Sequence, residues 1–162
     1  MSTESNKAAV RRFRDALNAG DLDGAVAFFA PNAVVHVSGA PDPLTLEGFK
    51  QFGRVFLSAF PGGTSTIEDV IAEGDKVVSR ITYRGTQTRD MMGIPPTGKS
   101  VTVPETIIDQ FADGKIVESW RLFDQMAMMQ QLGVIPALGQ SGSYRRRTNH
   151  ADVPREEAKW YG

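Results

Sequence analysis

The sequence predicts an α+β fold, with helices first and one curved sheet after them. Three observations carry this. Apolar residues up to Ala59 recur at three-and-four spacing, the period of a helix that buries one face. From Thr64 to Phe123 the period becomes two, as in strands. The turns Glu73-Gly74-Asp75 and Ala112-Asp113-Gly114 between those strands carry the Gly and Asp of tight hairpins. Helices followed by a run of antiparallel strands separate into layers instead of alternating along the chain, so the helices pack together on one sheet.

Taken in order, residues 5–19 form the first predicted helix. Ala9, Val10, Phe13, Ala16 and Leu17 make its apolar stripe, with arginines opposite, and Asn18-Ala19-Gly20 ends it. A second helix begins at Asp21 and runs to about Phe29, with Ala25, Phe28 and Phe29 apolar. Pro31-Asn32 breaks it. Ala33–Val37 is a short predicted strand containing His36, and a Gly- and Pro-rich loop follows up to Pro43. The third helix, about 46–59, carries Phe49, Phe52, Val55, Phe56 and Ala59 at helical spacing, and Pro61-Gly62-Gly63 stops it. Strands are predicted at 65–71, 76–85, 99–111 and 116–123. The connection 86–98 is longer and contains Met91 and Met92. After Asp124 a short helix carries Met126, Met129 and Leu132, and Gly133 stands where a C-cap glycine belongs.

Length and composition narrow the function classes. The 162 residues fit one domain at 1–133 followed by an irregular tail, 134–162, that lacks an apolar period. A formal net charge of −1 gives no electrostatic case for nucleic acid or an anionic membrane. No apolar run reaches the length of a membrane span. The chain has no cysteine, which excludes thiolate chemistry and favours a cytoplasmic location. Its two histidines, His36 and His150, stand far apart in sequence, so no metal is expected, and without a glycine-rich phosphate loop no organic cofactor is expected either.

The stretch Lys115–Gly133, KIVESWRLFDQMAMMQQLG, draws the functional argument. Alternation puts Ile116, Glu118, Trp120, Leu122 and Asp124 on one side of a strand, and Val117, Ser119, Arg121 and Phe123 on the other. With the Trp120 side buried, Asp124 is an acid in an apolar wall, where it must be paired or chemically active. The structural alternative is an N-cap for the helix starting at Gln125. Arg80 sits among Val78 and Ile81 in a strand and is expected to face inward, paired with Asp124 or, at the rim, with Glu105 or Glu118. The facing of Glu105 and Glu118 stays open, because one β-bulge reverses it. His36, among Val34, Val35 and Val37, is either a hydrogen-bonded core or rim histidine or a second proton-transfer group. Trp120, Met91, Met92, Met128 and Phe56 are expected to shape an apolar pocket, unless the methionines are plain core. Thr82 and Tyr83 are among the neutral groups available for hydrogen bonds there.

The segments NAGDLDGAVAFFAPNAVVH, EGFKQF, VIAEGDKVVSRITYRGTQT, MGIPPTGKSV and DGKIVESWRLFDQMAMMQQLG occur in an order that resembles the SnoaL-like polyketide cyclases. These belong to the nuclear-transport-factor-like superfamily of cone folds. The resemblance covers about four-fifths of the chain and excludes the tail. It implies a curved mixed sheet with helices closing an apolar pocket, and commonly a dimer. By the same resemblance Asp124 matches the acid/base aspartate of these cyclases. Phe123-Asp124 and Arg80 also match positions in the related limonene epoxide hydrolases. Their second acid is Thr82 here, which leaves the water-holding arrangement of those hydrolases incomplete.

The expected activity is cofactor-free acid/base chemistry on an apolar carbonyl-bearing small molecule, with aldol-type cyclisation or isomerisation as the leading form. Asp124, His36 and Arg80 are the expected catalytic groups. The alternatives on the same fold are an epoxide hydrolase, a dehydratase or a hydroxylase, and outside enzymes a small-molecule binding module. A homodimer is expected through the outer sheet face, with Val77, Ile81, Tyr83 and Val117 on that face. The tail is expected either to drape on the surface or to dock Tyr144, Trp160 and Tyr161 on a partner.

Overall fold

Ser2 opens the first helix, its hydroxyl accepting the Ser5 N–H at 3.2 Å. The computed structural model describes residues 2–137, so the expectations for Tyr144, Trp160 and Tyr161 lie outside the described residues. The elements are α1 (Thr3–Asn18), α2 (Leu22–Val26), β1 (Phe29–Val37), β2 (Leu44–Thr45), α3 (Leu46–Ala59), β3 (Thr64–Glu73), β4 (Lys76–Thr86), β5 (Ser100–Ala112), β6 (Lys115–Phe123) and α4 (Gln125–Leu132). The strands form one sheet in the order β2-β1-β6-β5-β4-β3. The β1–β6 pair is parallel and the other pairs antiparallel, which makes the sheet mixed.

Local chemistry explains the element ends. Thr45 caps α3 through its hydroxyl, 3.2 Å from the Gly48 amide. Asp113 and Gly114 take φ of +48° and +76° in the β5–β6 hairpin, the left-handed pair that an Asp-Gly turn favours. Gly133 ends α4 at φ +78°. Asn18 ties the end of α1 to β3 through two bonds with the Ser65 backbone, at 2.7 and 2.9 Å. The second helix is shorter than its pattern suggests, and Phe29 already belongs to β1. β1 pairs with β6 at Phe29 and again from Val34, so Pro31 sits in the irregular stretch between, where it removes no ladder bond. The two-residue β2 carries no sequence signal of its own.

Two apolar clusters fill the concave side of the sheet. Val10, Phe13, Phe29, Val35, Phe49 and Ile116 form one. Phe60, Tyr83, Met91, Val103, Met128 and Leu132 belong to the other. Among the described residues no helix is long and apolar enough to cross a membrane.

A bulge reverses the facing expected in β6. Gln110 pairs with Glu118, but the next residue of β5, Phe111, pairs with Ile116, so Val117 is an extra residue in the ladder. Ile116 faces the core, yet from Glu118 onward the sides exchange. Ser119 and Arg121 are buried, and Leu122 is 67% exposed. Trp120 and Asp124 therefore belong to the outer side, not to an apolar inner wall. The β4 facing is likewise opposite to expectation. Val77, Ser79, Ile81 and Tyr83 are buried, while Arg80 is exposed. Val77, Ile81 and Tyr83 are thus core, not an outer patch, and half-buried Val117 is the bulge residue. Val34, Ile71, Ile108 and Leu122 are the exposed apolar strand residues instead.

Candidate functional site

Between the concave sheet face, α1 and α3 lies a cavity of about 120 Å³. Leu17, Leu22, Phe49, Phe52, Phe56 and Leu57 give it apolar walls, while Arg14, Tyr83, Glu105 and Arg121 are its ionisable lining groups. Strand alternation supplies three of these four. Glu105 stands between Val103 and Ile107 on the buried face of β5, Arg121 between Ser119 and Phe123 on that of β6, and Tyr83 follows Ile81 in β4. Arg14 comes from α1, one turn after Val10, so it lies within the apolar stripe and not opposite it.

Glu105 is shared by the two arginines. Its Oε2 lies 3.8 Å from Arg14 Nη2, and its Oε1 lies 3.7 Å from Arg121 Nη1. The side chains are 12%, 7% and 6% exposed for Glu105, Arg14 and Arg121. These separations make ion pairs but exceed a hydrogen bond. Aromatic faces help to hold the cations. Arg121 sits over Phe49 at 4.7 Å and over Phe13 at 5.2 Å, and Arg14 over Phe13 at 5.4 Å. Burial lowers the Arg14 pKa, a shift that Glu105 opposes.

Asp109, two residues after Ile107 on the same face, adjoins this group and pairs across the ladder with Ser119. It is 1% exposed. Burial pushes its carboxyl pKa up, against the opposing pull of Arg121 and Arg14. Burial also raises the Tyr83 phenol, which keeps it a hydrogen-bond donor. The Tyr83 hydroxyl fits against two glycines. A Cβ on Gly63 would stand 2.1 Å from it, and one on Gly85 2.6 Å. Several buried polar atoms in this region lack a protein partner: Arg14 Nε, Arg121 Nε and Nη2, Asp109 Oδ1, Ser79 Oγ and Ser119 Oγ.

The residues expected to be catalytic lie elsewhere. Asp124 is exposed and caps α4, its Oδ1 accepting the Ala127 N–H at 2.9 Å. Arg80 donates from Nε to Asp69 Oδ2 at 2.7 Å on the outer face, so it pairs with none of Asp124, Glu105 and Glu118. His36 Nε2 is 2.8 Å from Glu118 Oε1, and its ring stacks on Trp120 at 5.5 Å and 2° between planes. This pair also belongs to the outer face, the rim arrangement weighed for His36. Of the six expected pocket residues, Phe56 lines the cavity. Met91 and Met128 are buried in the cluster around Phe60. Trp120 and Thr82 are on the outer side, and Met92 is 63% exposed. Among the described residues no group of three or more His, Asp or Glu is placed to hold a metal ion.

Arg14, Arg121 and Asp109 are functional candidates beyond those expected from the sequence. Their signal was present as charged residues standing on apolar faces: Arg14 at helical spacing from Val10 and Leu17, and Asp109 in the alternation Val101, Val103, Glu105, Ile107, Asp109, Phe111.

A family model of the SnoaL-like polyketide cyclases matches residues 7–132. The chain belongs to that family. Solved structures agree. AclR from Streptomyces galilaeus, a candidate hydroxylase, is similar with a TM-score of 0.77 at 28% identity, over 83% of this chain and 100% of its own. IdmH from Streptomyces antibioticus, a candidate polyketide cyclase, gives 0.71 at 32% identity, over 79% of this chain and 98% of its own. A candidate SnoaL-like polyketide cyclase from a Jannaschia species gives 0.75 at 27% identity, over 83% and 95%. A search of curated proteins gives no significant match. The described part of this SnoaL-like protein therefore has the family's cone fold, and the cavity lies on the concave side of that cone.

Proposed function

We propose that this SnoaL-like protein is a cofactor-free acid/base enzyme, a cyclase of the aldol type acting on an apolar carbonyl-bearing small molecule, with Glu105 moving the proton. The observation that carries this reading is that Glu105 is the one carboxylate among the residues lining the cavity. Its carboxylate takes a proton from a carbon beside a carbonyl, leaving an enolate. The enolate carbon bonds to a second carbonyl carbon, and the new alkoxide recovers the proton from Glu105. Tyr83 donates a hydrogen bond to the carbonyl oxygen as charge develops there, and Arg121 supplies positive charge beside it. A carboxylate is by nature a weak base, so the proton removed must be an acidic one, such as the methylene of a β-dicarbonyl.

The test compares Glu105→Gln with Asp124→Asn on an aromatic β-polycarbonyl substrate, following ring closure by absorbance and confirming the fold by circular dichroism. Glu105→Gln is expected to lower kcat by ~10²–10⁴-fold and Asp124→Asn to leave it within about twofold. Glu105→Asp, which keeps the charge but withdraws it by one methylene, is the back-up should the Gln variant fold poorly, and is expected to be impaired as well. The opposite ranking would return the acid/base role to Asp124. Recovery of ligand unchanged, with tight binding, would instead support a binding module. AclR as a candidate hydroxylase marks the enzymatic alternative, which incorporation of labelled oxygen into product would reveal.

A further inference from the structure

We propose that the cavity receives an acidic end of its substrate: a head about one ring in size, carrying a planar oxyanion, with Arg121 and Arg14 as its charge partners. This rests on the reading above in one respect only, that the concave cavity is the ligand site.

The charge count is the first support. Two guanidiniums and one carboxylate line the cavity, and the other walls are mainly phenylalanine and leucine. Asp109 adjoins this group but does not line the cavity. The lining itself carries one guanidinium more than it carries carboxylates, in a low-dielectric corner where an uncompensated ion is costly. A bound anion removes that cost.

Donor geometry is the second. Glu105 engages one terminal nitrogen of each guanidinium, at 3.8 and 3.7 Å. Arg121 keeps Nε and Nη2 without a partner, and Arg14 keeps Nε, although both side chains are more than nine-tenths buried. A guanidinium presents its donors in one plane, which matches a carboxylate or a delocalised enolate better than a neutral carbonyl.

Size is the third. The cavity of about 120 Å³ compares with the roughly 150 Å³ that accommodates benzene in an engineered apolar cavity. The acidic head is therefore a single ring against Phe49, Phe52 and Phe56, and any further rings of the substrate extend beyond this space.

The experiment is a calorimetric titration of the full-length protein at neutral pH with para-propylbenzoate and para-propylbenzamide, which share a shape and differ in charge. The acid is expected to bind at least about tenfold more tightly than the amide, the gain of a charge-assisted pair. Arg121→Gln is expected to bring the two within about twofold, and Arg121→Lys to keep the preference in weakened form. Benzoylacetone, titrated below and above its own ionisation, separates the two sources of oxyanion: tightening on ionisation assigns an enolate as well, and its absence assigns a carboxylate. Equal affinities for acid and amide, no binding of either, or a preference that survives Arg121→Gln unchanged would overturn the proposal. Should Arg121→Gln not fold, the acid–amide comparison in the native protein decides. Equal affinities with Glu105-dependent turnover reject only the acidic head. A clear acid preference with turnover unaffected in Glu105→Gln rejects only the proton-transfer role.

Discussion

Arg121 and Glu105 meet diagonally across the β5–β6 ladder, with Nη1 and Oε1 3.7 Å apart on the concave face. Glu105 is directly opposite Phe123, and Arg121 opposite Ile107, so the ion pair spans one step of the ladder. Arg14 reaches the same carboxylate from α1, which ties the helix layer to the sheet at the cavity. The site and the tertiary fold are thus held by the same charges.

This sharing makes the three substitutions unequal. Glu105→Gln leaves two buried guanidiniums without their carboxylate, and it is expected to cost about 3–5 kcal/mol of stability. Arg121→Met leaves Glu105 paired with Arg14 and is expected to cost less. Urea denaturation with matched m-values is the measurement, and a larger loss for Arg121→Met would show that Glu105 is not the hub.

Asp124 has a capping role that Asn can also perform. Asp124→Asn is expected to leave stability within a few tenths of a kcal/mol, whereas Asp124→Ala should lose about 1 kcal/mol through the freed Ala127 amide. Thermal denaturation of both variants checks this. An equal loss in the two would mean that charge, and not the cap, is what Asp124 supplies.

Asp109 gives the protein a pH signature. Its carboxyl pKa is raised above the ordinary 3.8 by burial, so the folded state holds the proton more tightly than the unfolded chain does. Stability from this group is full below about pH 3.8 and is lost as pH rises from there through the raised folded value. Asp109→Asn cannot ionise and should flatten that part of the profile. Melting temperatures of the two proteins from pH 4 upward are expected to diverge in favour of the Asn variant. Parallel curves would show that Asp109 titrates normally.

The outer sheet face is expected to pair with a second copy of the chain. Ile108 and Leu122 are 36% and 67% exposed there, near the Trp120 ring that His36 and Lys76 Nζ contact. Closed twofold pairing is the commonest way to cover such a face. Sedimentation at micromolar concentration is expected to give a dimer, and Leu122→Glu a monomer with an unchanged fold. A monomeric native protein would refute this.

The sequence by itself determined the order of elements, most boundaries and the family. Helix α3 begins and ends where Thr45 and Pro61-Gly62-Gly63 place it, and Asp113-Gly114 and Gly133 take the left-handed conformations their types favour. These signals are local, so a short window contains them. The facings were decided only in three dimensions. A two-residue period says which residues share a side but not which side is buried, and Ile116 was a misleading guide because the extra residue at Val117 exchanges the sides beyond it. Asp124 and Trp120 moved outward in consequence, and Arg121 moved into the cavity. Arg14 and Glu105 are distant in sequence and meet only because α1 packs across the concave face, and no local pattern records that contact.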